Sequence, residues 1–237
     1  MTDRLKEGWR RLNAETIGTD AYWWIALESA TFYEDMKRVV EQYAHGRALD
    51  AGAGRLAWRE LLSRHVGTYL SGDLSVEHDQ LDVVFDLTAR FPFPDGSFDT
   101  LFCCSVLEHA PEPWDAFSEM SRVLTEDGVA IVSLPFLLHL HDEPHDYYRF
   151  TRYGIEYLAS RAGFEVKEVV VNGGLFHLVF NVPSIVLSIA WQALGARFLI
   201  RPTTRFWVAL AKRLDRWTGL GESFASNYIV VLRKKDR

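Results

Sequence analysis

The sequence predicts an α/β fold built on a doubly wound, mostly parallel sheet, and three observations carry that prediction. Short apolar runs alternate with stretches of helical periodicity through residues 46–172. The first run leads into Ala48-Leu49-Asp50-Ala51-Gly52-Ala53-Gly54-Arg55, a strand followed at once by a glycine turn. Asp50, Asp73, Asp86 and Ser105 fall at or just past the ends of successive runs, so four polar side chains share the rim where open sheets bind ligands.

Composition sets the bounds. The 237 residues, 48% of them apolar, suffice for an α/β domain with a substantial core. A net charge of −6 argues against nucleic acid as a partner. Cys103 and Cys104 are adjacent; strand neighbours point to opposite faces, so a mutual disulfide is not expected, and the implied setting is reducing and cytoplasmic. The stretch Met1-Thr2-Asp3-Arg4-Leu5-Lys6-Glu7 lacks an apolar signal core.

In chain order, residues 1–45 read as a helical cap, and 46–237 as one domain carrying an insertion at 173–225. Strands are expected at 47–51, 66–72, 81–86, 98–104, 129–134, 164–171 and 227–232. A helix is expected from Leu56, Ala57, Trp58, Leu61 and Leu62 to about residue 65, a second over 110–124 ended by Gly128, and a third over 153–162 closed by Gly163. Pro135 is expected to stop the fifth strand. Phe91, Phe93 and Phe98 read as packing residues, Arg122 as an ion-pairing residue, and Glu108 as a local cap or partner.

The glycine turn suits a nucleotide-like ligand, because glycine allows φ > 0 and close approach, and the helix behind it offers unpaired N–H groups. Gly52-x-Gly54-x-x-Ala57 followed by Asp73 is also compatible with a dinucleotide. The rest of the series narrows the choice: Asp86, then Phe91-Pro92-Phe93-Pro94-Asp95-Gly96-Ser97-Phe98-Asp99, then Ser105-Val106-Leu107-Glu108-His109, then Glu119 to Gly128. Over about residues 46–172 the chain resembles the class I S-adenosylmethionine (SAM)-dependent methyltransferases of the methyltransferase type 11 kind. The resemblance implies a Rossmann-like, seven-stranded sheet with an antiparallel last strand. It implies that Asp50, Ala51, Gly52 and Gly54 surround the methionine part of SAM, that Asp73 and Leu74 meet the ribose, that Asp86 and Leu87 meet the adenine edge, and that Ser105 and His109 lie near the sulfonium and the acceptor. The chain departs from the pattern in one place: the linker 75–80 is too short for a crossover helix.

A second motif runs from Pro135 to Thr151 and contains His139, His141, His145, Asp146, Tyr147, Tyr148 and Arg149. It resembles a subgroup of these enzymes, some of which occur with cell-surface glycan genes. Its histidines could ligate a metal, but methyl transfer from a sulfonium needs none, and no metal is expected. An alcohol acceptor does need a base, and His141 or His145 is the expected one. The bland alternative is that these polar residues only fix the loop, with Thr151 capping the next helix.

The insertion opens with a charge-free apolar run from Val169 to Ala196, interrupted by Asn172, His177, Asn181, Pro183 and Gln192, which argues against a membrane span. Arg197, Arg201, Arg205, Lys212, Arg213 and Arg216 then alternate with aromatic and aliphatic residues. Such a segment lies on an anionic membrane surface, here the inner face, or grips a lipid-linked substrate; the alternatives are a helical lid or a homodimer face. The sequence as a whole is read as a methyltransferase acting on a small-molecule acceptor, by O-methylation of a sugar or glycan-linked hydroxyl. The rivals are methylation of a quinone or lipid, and SAM binding without catalysis.

Overall fold

The structure, a computed structural model, describes residues 3–17, 19–74 and 80–235. Seven strands form one sheet: β1 (Arg47–Ala51), β2 (Thr68–Asp73), β3 (Val83–Val84), β4 (Phe98–Cys104), β5 (Leu124–Pro135), β6 (Phe164–Gly173) and β7 (Ala225–Lys234). Their order is β3-β2-β1-β4-β5-β7-β6. The pairs β1–β2, β2–β3, β1–β4 and β4–β5 are parallel, and β7 runs antiparallel to β5. The fold is therefore the expected one. The chain steps outward from β1 through β2 to β3 and returns to β1's other side at β4, so the switch point lies between the carboxyl ends of β1 and β4.

The central strands read clearly in sequence because both their faces are covered. Ala48, Leu49, Leu101, Phe102, Ala130 and Ile131 are fully buried. Phe91 and Phe98 also lie in the core, and Phe93 packs edge-on against Phe98. Arg122 pairs with Glu119 and Asp95 and donates to the carbonyls of Phe91 and Phe93, pinning the 91–97 loop to α4 (Pro113–Val123).

Three local readings are corrected. Leu56 has φ +59°, so the glycine turn continues to Trp58 and the helix behind it, α3, spans only Arg59–Ser63. The third strand shrinks to two residues: the Phe85 ring lies over Gly72, where a Cβ would come within 2.2 Å of it, and Asp86 folds back to accept from the Thr88 N–H and hydroxyl. Strand β5 begins five residues early, at Leu124, because the Gly128 region is a bulge: the register jumps from Phe98↔Leu124 to Thr100↔Val129. Pro135 is the last residue of β5 and pairs with Asn227. Residues 75–79 of the short linker lie outside the described residues.

Contacts divide the chain into two units. One comprises residues 37–170 and 227–237; the other joins 1–36 to 171–226. In the second unit are α1 (Asp3–Thr16), the first part of α2 (Leu27–Tyr43), α6 (Leu175–Ala193) and α7 (Ile200–Thr218). Here α6 is turned inside out. His177, Ser184 and Ser188, spaced along one stripe, are buried, while Val179, Val182 and Val186 are exposed. Two polar side chains of α6 cap α2: Ser184 Oγ accepts from the Leu27 N–H at 3.1 Å and Asn181 Oδ1 from the Glu28 N–H at 3.2 Å. Asp215 of α7 accepts from the Phe176 and His177 N–H groups at the start of α6.

Candidate active site

The carboxyl ends of β1 and β2 are tied together by the glycine turn. Gly52 and Ala53 donate their N–H groups to the Gly72 carbonyl at 2.8 and 3.0 Å. Gly52 has φ +86°, and a Cβ there would come within 2.4 Å of Val106. Gly54 also has positive φ, but a Cβ there would meet nothing within 4 Å, so the backbone faces open space. Asp73 stands opposite: its Oδ2 accepts from the Gly54 N–H and its Oδ1 from the Leu74 N–H, both at 2.7 Å. An ionised carboxylate offers acceptor sites on both oxygens, and these two bonds use both.

Asp50 is almost fully buried, and Tyr69 donates its hydroxyl to Asp50 Oδ2 at 2.7 Å. Burial pushes the Asp50 carboxyl up to about 7; the Tyr69 hydrogen bond opposes the rise and the Asp73 charge adds to it. Ser105, just past β4, sits in the left-handed region at φ +53° and donates its N–H to Ser133 Oγ at 3.0 Å. For a residue other than glycine such backbone is strained. The adjoining thiols are poor nucleophiles, since burial raises both and takes Cys104 up to about 12.

The histidine loop follows β5 and docks on the short turn Leu107–His109, whose Glu108 carbonyl accepts from the Tyr147 and Tyr148 N–H groups. Arg149 holds the loop's shape. It pairs with both oxygens of Asp146 at 2.6 and 2.7 Å and donates to the Leu138 and His139 carbonyls. Arg149 thereby holds Asp146 far below the usual carboxylate range. Tyr148 donates its hydroxyl to the Pro111 carbonyl. Thr151 caps α5 (Arg152–Arg161) by accepting from the Gly154 N–H. Arg149, Asp146, Tyr148 and Thr151 thus fix the shape of the loop.

Its histidines differ in what their nitrogens do. His109 Nδ1 is 2.7 Å from the His145 carbonyl and its Nε2 faces Glu108. His141 Nδ1 is 3.2 Å from the His139 carbonyl and its Nε2 also faces Glu108, whose carboxyl raises the His141 pKa. His145 is exposed and shares a 3.0 Å hydrogen bond between Nδ1 and the Tyr147 hydroxyl.

Sequence reasoning missed two residues and read a third differently. Tyr69 reaches Asp50, and Asp82 accepts from the Ser71 N–H and hydroxyl, only through the register of β1, β2 and β3. Glu108, expected to cap or pair locally, is instead fully buried.

A glycine turn after β1 and an acidic residue closing β2, at the switch point of a doubly wound sheet, are the features of a nucleotide-type site. Residues 49–132 match the family described as a methyltransferase domain. A relative in Mycobacterium avium (strain 104), named an uncharacterized methyltransferase, is 30% identical over 229 residues, which cover 88% of this chain and 86% of the relative. The chain belongs to this methyltransferase family, whose methyl donor is SAM. Among solved structures, an S-adenosylmethionine-dependent methyltransferase from Mesorhizobium loti shares the fold with TM-score 0.56 at 16% identity, covering 88% of this chain and all of that one. The [4+2]-cyclase SpnF shares it with TM-score 0.58 at 17% identity, covering 88% and 82%. Fold alone therefore does not fix the chemistry; the family relationship does.

Proposed function

We propose that this methyltransferase O-methylates a hydroxyl of a sugar or glycan-linked small molecule, with SAM held at the Gly52–Asp73 turn. The single observation that carries the cofactor placement is the pairing of open backbone at Gly54 with a carboxylate aimed at it from Asp73. Asp73 accepts from the two ribose hydroxyls, Asp50 faces the ammonium, the backbone at Ala51, Gly52 and Gly54 lines the methionine part, Leu74 flanks the ribose, and Asp86 with the Leu87 backbone borders the adenine. Ser105, fixed against Ser133, borders the reacting methyl. When bound, SAM supplies a methyl group already activated on a sulfonium, with a neutral thioether as leaving group. The chain's own task is alignment and removal of the acceptor's proton.

Of the three candidate histidines, His145 is the base. Both ring nitrogens of His109 and of His141 are already directed at neighbours, whereas His145 Nε2 has no partner among the described residues. Incubation with methyl-labelled SAM and a panel of sugars and lipid-linked sugars is expected to give a base-stable methyl ether. His145→Ala is expected to lower turnover at least about 100-fold, within the usual range for a general base, with SAM affinity kept. Label on carbon or nitrogen, or full activity in the variant, would refute the assignment.

Asp50 makes cofactor binding pH-dependent. Its folded pKa near 7 lies above the ordinary value of about 3.9. The buried acid is therefore most favourable to stability below pH ~4, and that contribution fades as pH rises through 7. An ammonium binds the ionised form, so SAM affinity is expected to rise by up to about tenfold per pH unit towards pH 7. It falls again above about pH 8, where an α-amino group loses its charge. Calorimetric titrations from pH 5.5 to 9 check this; an Asp50→Asn variant with the same acid limb would contradict it.

A second reading, a lipid-linked acceptor met at an anionic membrane surface, is favoured by the inside-out α6. The 19-residue α6 is long and apolar enough to cross a bilayer by length and composition, and its Val179, Val182 and Val186 are exposed; in the segment that follows, Phe198 and Trp217 stand 78% and 81% exposed, with Arg205, Arg213 and Arg216 also exposed. Such amphipathic, basic surfaces bind the interface. Co-sedimentation with phosphatidylglycerol vesicles is expected, weakened by Phe198→Ser/Trp217→Ser. Equal pelleting with neutral vesicles or of the double variant would remove the reading.

A further inference from the structure

Glu108 is the most anomalous side chain near the rim. It is fully buried, and neither carboxylate oxygen has a hydrogen-bond partner among the described residues. A buried carboxylate with no donor is costly, and proteins keep such a group when a cation completes it. Two imidazoles face the same oxygen: His141 Nε2 lies 3.8 Å and His109 Nε2 3.9 Å from Glu108 Oε1.

The orientation of both rings is set by backbone carbonyls. His109 Nδ1 lies 2.7 Å from the His145 carbonyl, and His141 Nδ1 lies 3.2 Å from the His139 carbonyl. A carbonyl only accepts, so each Nδ1 carries the hydrogen, and each ring in its neutral form presents a lone pair at Nε2. With both rings neutral, two lone pairs and a carboxylate oxygen converge within 4.8 Å of one another. That arrangement is repulsive by itself and complementary to a divalent cation. Carbonyl-bound Nδ1–H groups are also how metal-ligating histidines are usually held.

We propose that Glu108, His109 and His141 bind a divalent transition-metal ion, zinc or its chemical neighbours. Two imidazole nitrogens and one carboxylate oxygen are a donor set of that class, and three protein ligands leave coordination positions open. Tetrahedral bonds of 2.0–2.2 Å place ligand atoms about 3.3–3.6 Å apart, so the three side chains close by a few tenths of an ångström to roughly 1 Å on binding. The trio differs from the set the loop's own spacing suggests, since His139 and His145 are both exposed. Its role rests on the O-methylation reading: an open position takes the acceptor oxygen and polarises it. The hydroxyl proton then passes to His145, an oxygen lone pair forms the bond to the methyl carbon, and the carbon–sulfur bonding pair stays on sulfur.

The test uses the untagged full-length chain, stripped with chelator and titrated with Zn²⁺ and, separately, with Co²⁺ followed by its visible absorption. One equivalent of Zn²⁺ is expected to bind with a Kd of about 1 μM or tighter, displacing Co²⁺ from the same site. Glu108→Gln and His141→Ala are each expected to weaken binding at least about 30-fold, and His139→Ala to leave it unchanged. His141 is partly exposed, so its variant keeps the test open if Glu108→Gln fails to fold. Absence of stoichiometric Zn²⁺ binding, or wild-type affinity in folded His141→Ala, overturns the proposal. S-adenosylhomocysteine binding by the chelator-treated chain reports separately on the cofactor site, so the two readings fail independently.

Discussion

Gly52→Ala is expected to destabilise the chain by about 2–6 kcal/mol and to abolish detectable SAM binding. Two costs combine. The residue sits at φ +86°, where a Cβ-bearing residue is strained by about 1–3 kcal/mol. The new methyl would also stand 2.4 and 2.7 Å from the two Val106 methyls, an overpacking penalty of typically 1–3 kcal/mol. Val106 immediately follows Ser105, so relief by movement would disturb the turn past β4 as well. Gly54→Ala separates the two effects. Its Cβ would meet nothing within 4 Å, so stability should fall by only about 1–2 kcal/mol, while the methyl occupies the space the cofactor needs. Urea melts and SAM titrations of both variants, with Val106→Ala added to Gly52→Ala, check the separation. Part of the lost stability should return in the double variant, since the clash is relieved and the backbone strain is not. A Gly52→Ala chain of unchanged stability would show that the turn is not packed as described.

The second large effect is expected at Asp73. On the proposed placement of SAM, Asp73→Ala removes two charge-assisted hydrogen bonds to the ribose, worth about 1.5–3 kcal/mol each, and SAM affinity should fall at least about 100-fold. It also frees the Gly54 and Leu74 N–H groups that Asp73 now accepts from, so the turn itself loosens. Asp73→Asn keeps the shape and one acceptor and should fall between wild type and alanine. Calorimetry with S-adenosylhomocysteine measures all three, and wild-type affinity in a folded Asp73→Ala would refute the assignment.

Much of the fold could be read from the residues because central strands bury both faces. Phe102 and Ile131 lie in uninterrupted apolar runs, and their strands are placeable from sequence to within a few residues. The misreadings share one physical cause, tertiary contact overriding local pattern. Phe85 reads as a strand residue but serves to cover Gly72. Leu56, Ala57 and Trp58 have helical spacing but belong to a turn that Leu56 enters at positive φ. The bulge behind Gly128 depends on the register of β4 against β5. The same divide runs through the candidate site. Asp50, the glycine pair and Asp73 announce themselves by spacing. Tyr69 meets Asp50 only because two parallel strands bring it there, and Glu108 meets His141 across 33 positions of chain. No local spacing encodes that meeting, which is why the loop's histidines suggested a different set of ligands.

The claim on which the rest depends is that the glycine turn and Asp73 hold SAM. A crystal structure of the chain with S-adenosylhomocysteine tests it most directly. The expected result is both ribose hydroxyls within about 2.5–3.0 Å of the Asp73 carboxylate oxygens, with the amino-acid part over Gly52 and Gly54 and its ammonium towards Asp50. A nucleoside bound away from Asp73, or a ribose that Asp73 does not touch, would contradict it.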